Sequence, residues 1–338
     1  ALVGKNTVLI PVLMFFLSAF ISAIGPGHIA AGILMTTFAM YLAFEMDINP
    51  IATALFAKLG ANAGCASPLS LTGVLAKSLG EPLGYTGFGL HLFLTTLISG
   101  FIFTLILYVG FKSYKVKADN PLKLSEIPKF NKEQLCTIAA IIVMVICCIG
   151  FQLDTGLFAF VAASVLILLG CADEKKAIKS IPWGTLVFIC GVGALINVIK
   201  KLGGIDLISN FLTGLMTEGT ATPILAATSG ILRWVSSTTG VVMPALFPIA
   251  ADVATKFSGS VNFVELISAI VATSFAAAIS PLSTGGAIIM SSYSAARETS
   301  NEEMNRMFKQ LFLLSVANVA VNVLLSVLGV FNLFGLFY

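Results

Sequence analysis

The chain has 338 residues, 57% of them hydrophobic and only 10% charged, which leaves too little polar surface to cover a soluble domain. A net charge of +3 is small, so no nucleic-acid partner is expected, and two histidines leave no material for a multi-histidine metal centre. Continuous Leu/Ile/Val/Phe/Ala runs, rather than short segments of alternating polarity, predict an all-α polytopic membrane protein and not a β-barrel.

In chain order, apolar segments at 8–24 and 29–44 flank Gly25-Pro26-Gly27-His28, and the three together read as a re-entrant hairpin with its tip. Residues 48–66 carry Lys58 and Asn62 and run into the break Ser67-Pro68-Leu69-Ser70-Leu71-Thr72-Gly73, after which 83–111 closes a first half spanning 1–111. A linker at 112–134 holds Lys112, Lys115, Lys117, Lys123, Lys129 and Lys132, and by the positive-inside bias it faces the cytoplasm. The second half, 135–338, opens with helices at 135–153, 155–172 and 181–199. Lys175, Lys176 and Lys179 mark a second cytoplasmic loop, whereas Lys200 and Lys201 fall outside, against the bias unless the chain there is interfacial. An amphipathic stretch at 203–217 follows. Residues 220–232 are uncharged but too short to cross a bilayer, so 220–250 reads as a second re-entrant hairpin with its tip at Ser236-Ser237-Thr238-Thr239-Gly240. A second broken helix at 264–295 is interrupted by Ser280-Pro281-Leu282-Ser283-Thr284-Gly285-Gly286, and a last helix covers 310–335.

The two breaks lie 213 residues apart (280 − 67), and the same spacing pairs Gly27 with Gly240. Paired breaks in step predict a duplicated core, and an odd number of crossings per half makes it an inverted repeat. On that spacing the counterparts of the helices at 135–199 would precede residue 1, so the scaffold helices of the first half are missing from this stretch, either because an N-terminal portion lies outside it or because the chain is a processed or truncated form. A signal peptide is disfavoured because 8–24 takes part in the repeat.

A tip rich in Gly, Ser and Thr offers backbone N–H groups at a helix N-terminus, which favours a carboxylate at Gly25, Gly27 and His28 in one half and Ser237, Thr238, Thr239 and Gly240 in the other. A neutral His28 could donate to that carboxylate, a protonated one could couple proton movement, or the ring could simply cap the returning helix. Broken helices free carbonyl oxygens that, with hydroxyls at Ser67, Ser70, Thr72, Ser280, Ser283 and Thr284, suit a dehydrated Na⁺, with Asn62 as a further ligand. Taken singly, each of these residues is explained by close packing or a kink; their common spacing favours function. Lys58 is either functional or a snorkelling anchor, while Arg233 and Glu265 read as interfacial anchors. The six cysteines read as packing residues.

On Gly25-Pro26-Gly27, Gly60-Ala61-Asn62-Ala63-Gly64, both Ser-Pro-Leu-Ser stretches, Ser236-Ser237-Thr238-Thr239-Gly240 and Ile181-Pro182-Trp183-Gly184-Thr185-Leu186 with Cys190-Gly191, the chain resembles the ion-transporter superfamily. It looks closest to its malonate/dicarboxylate carriers, relatives of the divalent-anion/sodium symporters. The resemblance implies a homodimer, an elevator-like transport region, and a dicarboxylate held between the tips by Gly27, His28, Thr238 and Thr239. It also implies Na⁺ among Asn62, Ser67 and Ser70 and among Ser236, Ser280 and Ser283. The symporters carry Ser-Asn-Thr at both tips, and this chain does not. The expectation is therefore a multi-pass carrier of the cytoplasmic (inner) membrane, in contact with lipid, that couples Na⁺ to uptake of a small organic anion, with no cofactor beyond that ion and no enzyme chemistry. An anion exchanger, a proton-coupled carrier and an oxyanion conduit driven by an ATPase are its rivals.

Overall fold

A computed structural model describes residues 9–115, 131–150, 155–181, 201–257 and 260–333, with isolated positions between 183 and 199. Every regular element among the described residues is helical. The helix expected at 181–199 and most of the 112–134 linker lie outside the described residues. The chain divides into two compact units, one holding Leu122–Cys190 and the other Leu2–Pro121 with Gly191–Tyr338. Both hairpin-and-break sets belong to the second unit.

Within that unit α1 (Ile10–Ala23) and α2 (Gly27–Glu45) are joined by Ile24, Gly25 and Pro26, and both pack on α3 (Pro50–Gly64). Asn49 starts α3 by accepting from the Ala52 N–H at 3.1 Å, with Pro50 in the first turn, where a missing N–H costs nothing. Gly60 and Gly64 let α1 approach backbone to backbone, since a Cβ on either would collide with the Phe15 or Ala19 carbonyl. Ser22 ties the same pair by donating to the Ala61 carbonyl at 2.7 Å. After the break come α4 (Leu71–Gly80) and α5 (Gly89–Gly110).

In the other unit α6 (Lys132–Gly150) and α7 (Thr155–Leu168) pack on each other and precede α8 (Glu174–Ser180). The chain then continues through α9 (Gly204–Leu215), α10 (Ala221–Val235), a wide helical turn at Thr238–Val242, α11 (Met243–Lys256), α12 (Phe263–Ala277), α13 (Thr284–Ala296) and α14 (Asn301–Val327). The last helix starts well before the apolar run at 310. Ser300 and Glu303 form a reciprocal cap, and Glu302, Arg306 and Lys309 fill its first turns. It also ends earlier than expected, at Val327, with Gly329 left-handed just beyond.

α3 and α12 are both 15 residues long, and each end of one lies 213 residues from the matching end of the other, as do the starts of α4 and α13. Packing repeats as well: α1 and α2 cover α3 as α10 and α11 cover α12, while α4 reaches across to α11 and α13 to α2. Gly27–Glu45, Gly89–Gly110, Thr238–Lys256 and Asn301–Val327 are long and apolar enough to cross a membrane. Phe16, Phe20, Leu34, Phe38 and Leu313 point outward, the pattern of a lipid-facing surface.

Candidate functional site

The two breaks fold alike. After α3 the Ser70 N–H donates to the Ser67 carbonyl at 2.9 Å, and the Ser67 hydroxyl accepts from the Leu69 N–H at 3.3 Å. After α12 the Ser283 N–H donates to the Ser280 carbonyl at 3.0 Å, and the Ser280 hydroxyl accepts from Leu282 N–H at 3.3 Å. Gly73 and Gly286 close these turns, because a Cβ at either would strike the Ser67 or Ser280 carbonyl. Serine followed by proline therefore encodes a local turn in which the hydroxyl replaces a ladder bond.

At the first tip Gly25 has φ +143° and Gly27 φ +71°, backbone that side chains resist. Gly27 faces the first break, where its added Cβ would stand 3.6 Å from Ser70 Oγ. At the second tip Ser237 caps the following turn, its hydroxyl accepting from the Gly240 N–H at 3.1 Å. Ser236 donates to the Leu232 carbonyl, and Arg233 Nη1 donates to the Ser236 carbonyl.

Both tips converge on the C-terminal end of α12. Thr238 shares a 2.7 Å hydrogen bond with Ser274. The His28 ring lies 5.0 Å from that of Phe275 at 66°, and Asn62 Nδ2 donates to the Phe275 carbonyl at 3.2 Å. Asn62 and Phe275 are themselves 213 residues apart, so the repeat's equivalent positions touch.

Two cationic side chains border this convergence. Lys58 is 1% exposed, and its Nζ donates to the His28 carbonyl at 2.8 Å. Gly32 and Gly285 make its room: a Cβ on Gly32 would lie 2.5 Å from Nζ, and one on Gly285 would lie 3.0 Å from Cε. Arg233 is 4% exposed, its Nε has no partner, and Lys58, Arg233 and His28 stand within electrostatic reach of one another. Among the described residues neither Lys58 nor Arg233 meets a carboxylate, for the ion pairs there are Lys77–Glu81 and Lys256–Asp252. Burying an uncompensated charge costs several kcal/mol, so such a pair favours an anionic guest.

Of the residues expected from sequence, Gly27 meets Ser70, and His28, Asn62 and Thr238 meet the end of α12. Thr239 and Gly240 are buried beside Thr238, and Gly25 forms the bend ahead of α2. Ser70 is buried with a hydroxyl that has no protein partner among the described residues and Thr72 is buried against the Cys65 thiol, whereas Ser67, Ser280 and Ser283 bond within their own turns. Thr284 is exposed at the start of α13. Arg233 departs from its reading as an anchor, since its helix packs on α12 and draws it inside. Glu265 is half-buried and accepts from Thr222 at 2.7 Å. Sequence reasoning missed Ser274, and it missed the pair Asn318 and Asn322, whose four-residue spacing inside an apolar helix was the available signal. No group of three or more His, Cys, Asp or Glu able to hold a metal occurs among the described residues.

A family model described as citrate transporter, CitMHS, matches residues 1–278, a stretch that takes in both tips, the first break and α12. No curated protein matches the chain.

Proposed function

The chain belongs to the citrate-transporter family, within the ion-transporter superfamily, and from that premise we propose that it takes up citrate or a related small di- or tricarboxylate, bound between the two tips. The observation that carries this reading is the placement of Lys58 and Arg233, buried beside tips that share the end of α12 with no carboxylate partner among the described residues. The Lys58 amine and the Arg233 guanidinium are donors placed to pair with two carboxylates, and the N-terminal N–H groups of α2 and of the turn at 238–242 add donors that favour negative charge. The coarse function, a secondary transporter of citrate or related anions, follows from the family; the finer terms below are our reading.

The coincident bounds of α3 and α12, and the crossed packing of α4 on α11 and α13 on α2, support an inverted repeat with two re-entrant hairpins and two broken helices. The unpartnered hydroxyl of Ser70, beside Thr72, supports Na⁺ as the coupling ion of the first half, and in the second half we place it among Ser236, Ser280 and Ser283. Anion and cation together neutralise the tips, which permits a transport region to move past a scaffold in an elevator-like step, as a homodimer in the inner membrane. No covalent chemistry belongs to this cycle.

The test is uptake of radiolabelled citrate, malate and malonate into proteoliposomes under an inward Na⁺ gradient. Saturable uptake of at least one, competed by its unlabelled form and lost when choline replaces Na⁺, is the expected result. Uptake indifferent to choline replacement rejects sodium coupling in favour of exchange or proton coupling, and absence of uptake for all three rejects the substrate class.

A further inference from the structure

α12 ends at Ala277, where both tips converge, and side chains from α3, α14 and the second break serve the carbonyls that its last turn leaves over. Asn62 donates to Phe275 and Asn318 to Ala276, each at 3.2 Å, Ser315 donates to Ala277 at 2.9 Å, and Ser283 to Ala278 at 2.6 Å. Ser315 also holds the second hairpin, because its oxygen accepts from the indole N–H of Trp234 at 2.9 Å. An indole only donates and a carbonyl only accepts, so the direction of the chain from Trp234 through Ser315 to Ala277 is fixed. Ser315 is fully buried, and Trp234 is half-buried against Phe312 with ring centroids 5.7 Å apart. Hydrogen bonds in series strengthen one another in such surroundings.

Trp234 directly follows Arg233 in the last turn of α10. Neighbouring residues of an α-helix point about 100° apart, so an indole tied to α14 turns the guanidinium away from α14 and into the protein, where Arg233 is 4% exposed. The backbone holds this end weakly, for the Ser236 N–H reaches the Arg233 carbonyl only at 3.5 Å. One turn earlier Gly230 brings α10 against α14, since a Cβ there would stand 2.8 Å from a Val319 methyl. The repeat spacing pairs Arg233 with Phe20, Trp234 with Ile21 and Ser315 with Ile102. The chain of bonds is therefore no part of the duplicated architecture, and it accompanies a cation found in the second copy alone. We propose that Trp234 is a positioning residue: through Ser315 and the end of α12 it fixes where the Arg233 guanidinium, and the tip that follows, stand when a carboxylate binds. Its role in recognition rests on the carrier reading; its anchoring of the tip does not.

Trp234→Phe keeps a ring against Phe312, removes the indole N–H and leaves Ser315 its carbonyl partner. Amide hydrogen exchange is followed on the full chain in detergent without citrate, and citrate uptake is measured in proteoliposomes. Exchange over Thr238–Val242 should quicken about fivefold, the scale of one lost hydrogen bond, while the start of α2 at the first tip is unchanged. KM for citrate should rise several-fold. A protein that merely loses folded carriers shows a lower maximal rate at the same KM, so KM carries the positioning claim. Ser315→Ala breaks the same chain and should reproduce both effects, and the double variant should add little to either single one. Ser315→Ala alone decides the matter if Trp234→Phe does not fold. Unchanged exchange at the second tip, or single-variant effects on KM that add in full, overturns the proposal. Faster exchange with an unchanged KM overturns the role in recognition and leaves the bond a strut. If the wild type takes up no citrate, malate or malonate, the carrier reading fails and the recognition role with it, while exchange at the tip still upholds or overturns the anchoring.

Discussion

Lys58 stands on α3 between Gly32 and Gly285, two glycines that leave the space its ammonium occupies, and it reaches the carbonyl of His28 at the first tip. A buried charge without a carboxylate is a cost to the folded chain unless an anion relieves it, so removing it separates stability from function. Lys58→Met should leave the ligand-free melting temperature unchanged or higher, while the citrate half-saturation rises about tenfold or more. Melting curves and uptake on one preparation check both limbs; unchanged citrate affinity would remove Lys58 from the site. Gly32→Ala tests the same geometry from the other side, because its methyl meets Nζ at 2.5 Å and should displace the ammonium and weaken citrate binding without touching a ligand.

Between helices the deciding contacts are those of small residues. Gly60 and Gly64 admit the α1 backbone at Phe15 and Ala19, so Gly60→Ala should separate α1 from α3 and cost about 1–3 kcal/mol or more, since the collision is with backbone rather than a flexible side chain. Gly110 ends α5 with nothing within 4 Å of an added Cβ, and Gly110→Ala should stabilise by about 0.5–1 kcal/mol. Detergent melting of the two variants checks the opposite signs. The same elements show what was legible in the sequence. Tips and breaks were, because Gly, Pro and Ser punctuate an apolar chain and the spacing between copies repeats. The start of α14 was not, because its first turns carry charges that hydropathy reads as loop while Ser300 and Glu303 cap them as helix. Arg233 was not, because its depth follows from the packing of α10 on α12 and not from its neighbours in sequence. Asn318 and Asn322 sat unnoticed in a charge-free run, since a polar pair reveals its role only through what it faces.

At the scale of the whole molecule, local charge makes a specific forecast for how the two hairpin-and-break sets are oriented. α5 ends at Gly110 beside the lysine-rich linker, so its start, and with it the loop from Glu81, should face outward. Matching positions in the second copy follow α13, where Arg297, Arg306 and Lys309 gather near the start of α14 and favour the cytoplasm. An inverted repeat requires this difference, because α4 and α13 are equivalent and their ends must emerge on opposite faces. In a background with the six native cysteines replaced, single cysteines Glu81→Cys and Glu298→Cys occupy exposed positions just after these helices. A membrane-impermeant maleimide added to intact cells should label Glu81→Cys and spare Glu298→Cys, which should react only after the membrane is opened. Labelling of both from the same side would make the repeat parallel, and two tips entering from one face could not enclose a carboxylate between opposed helix ends.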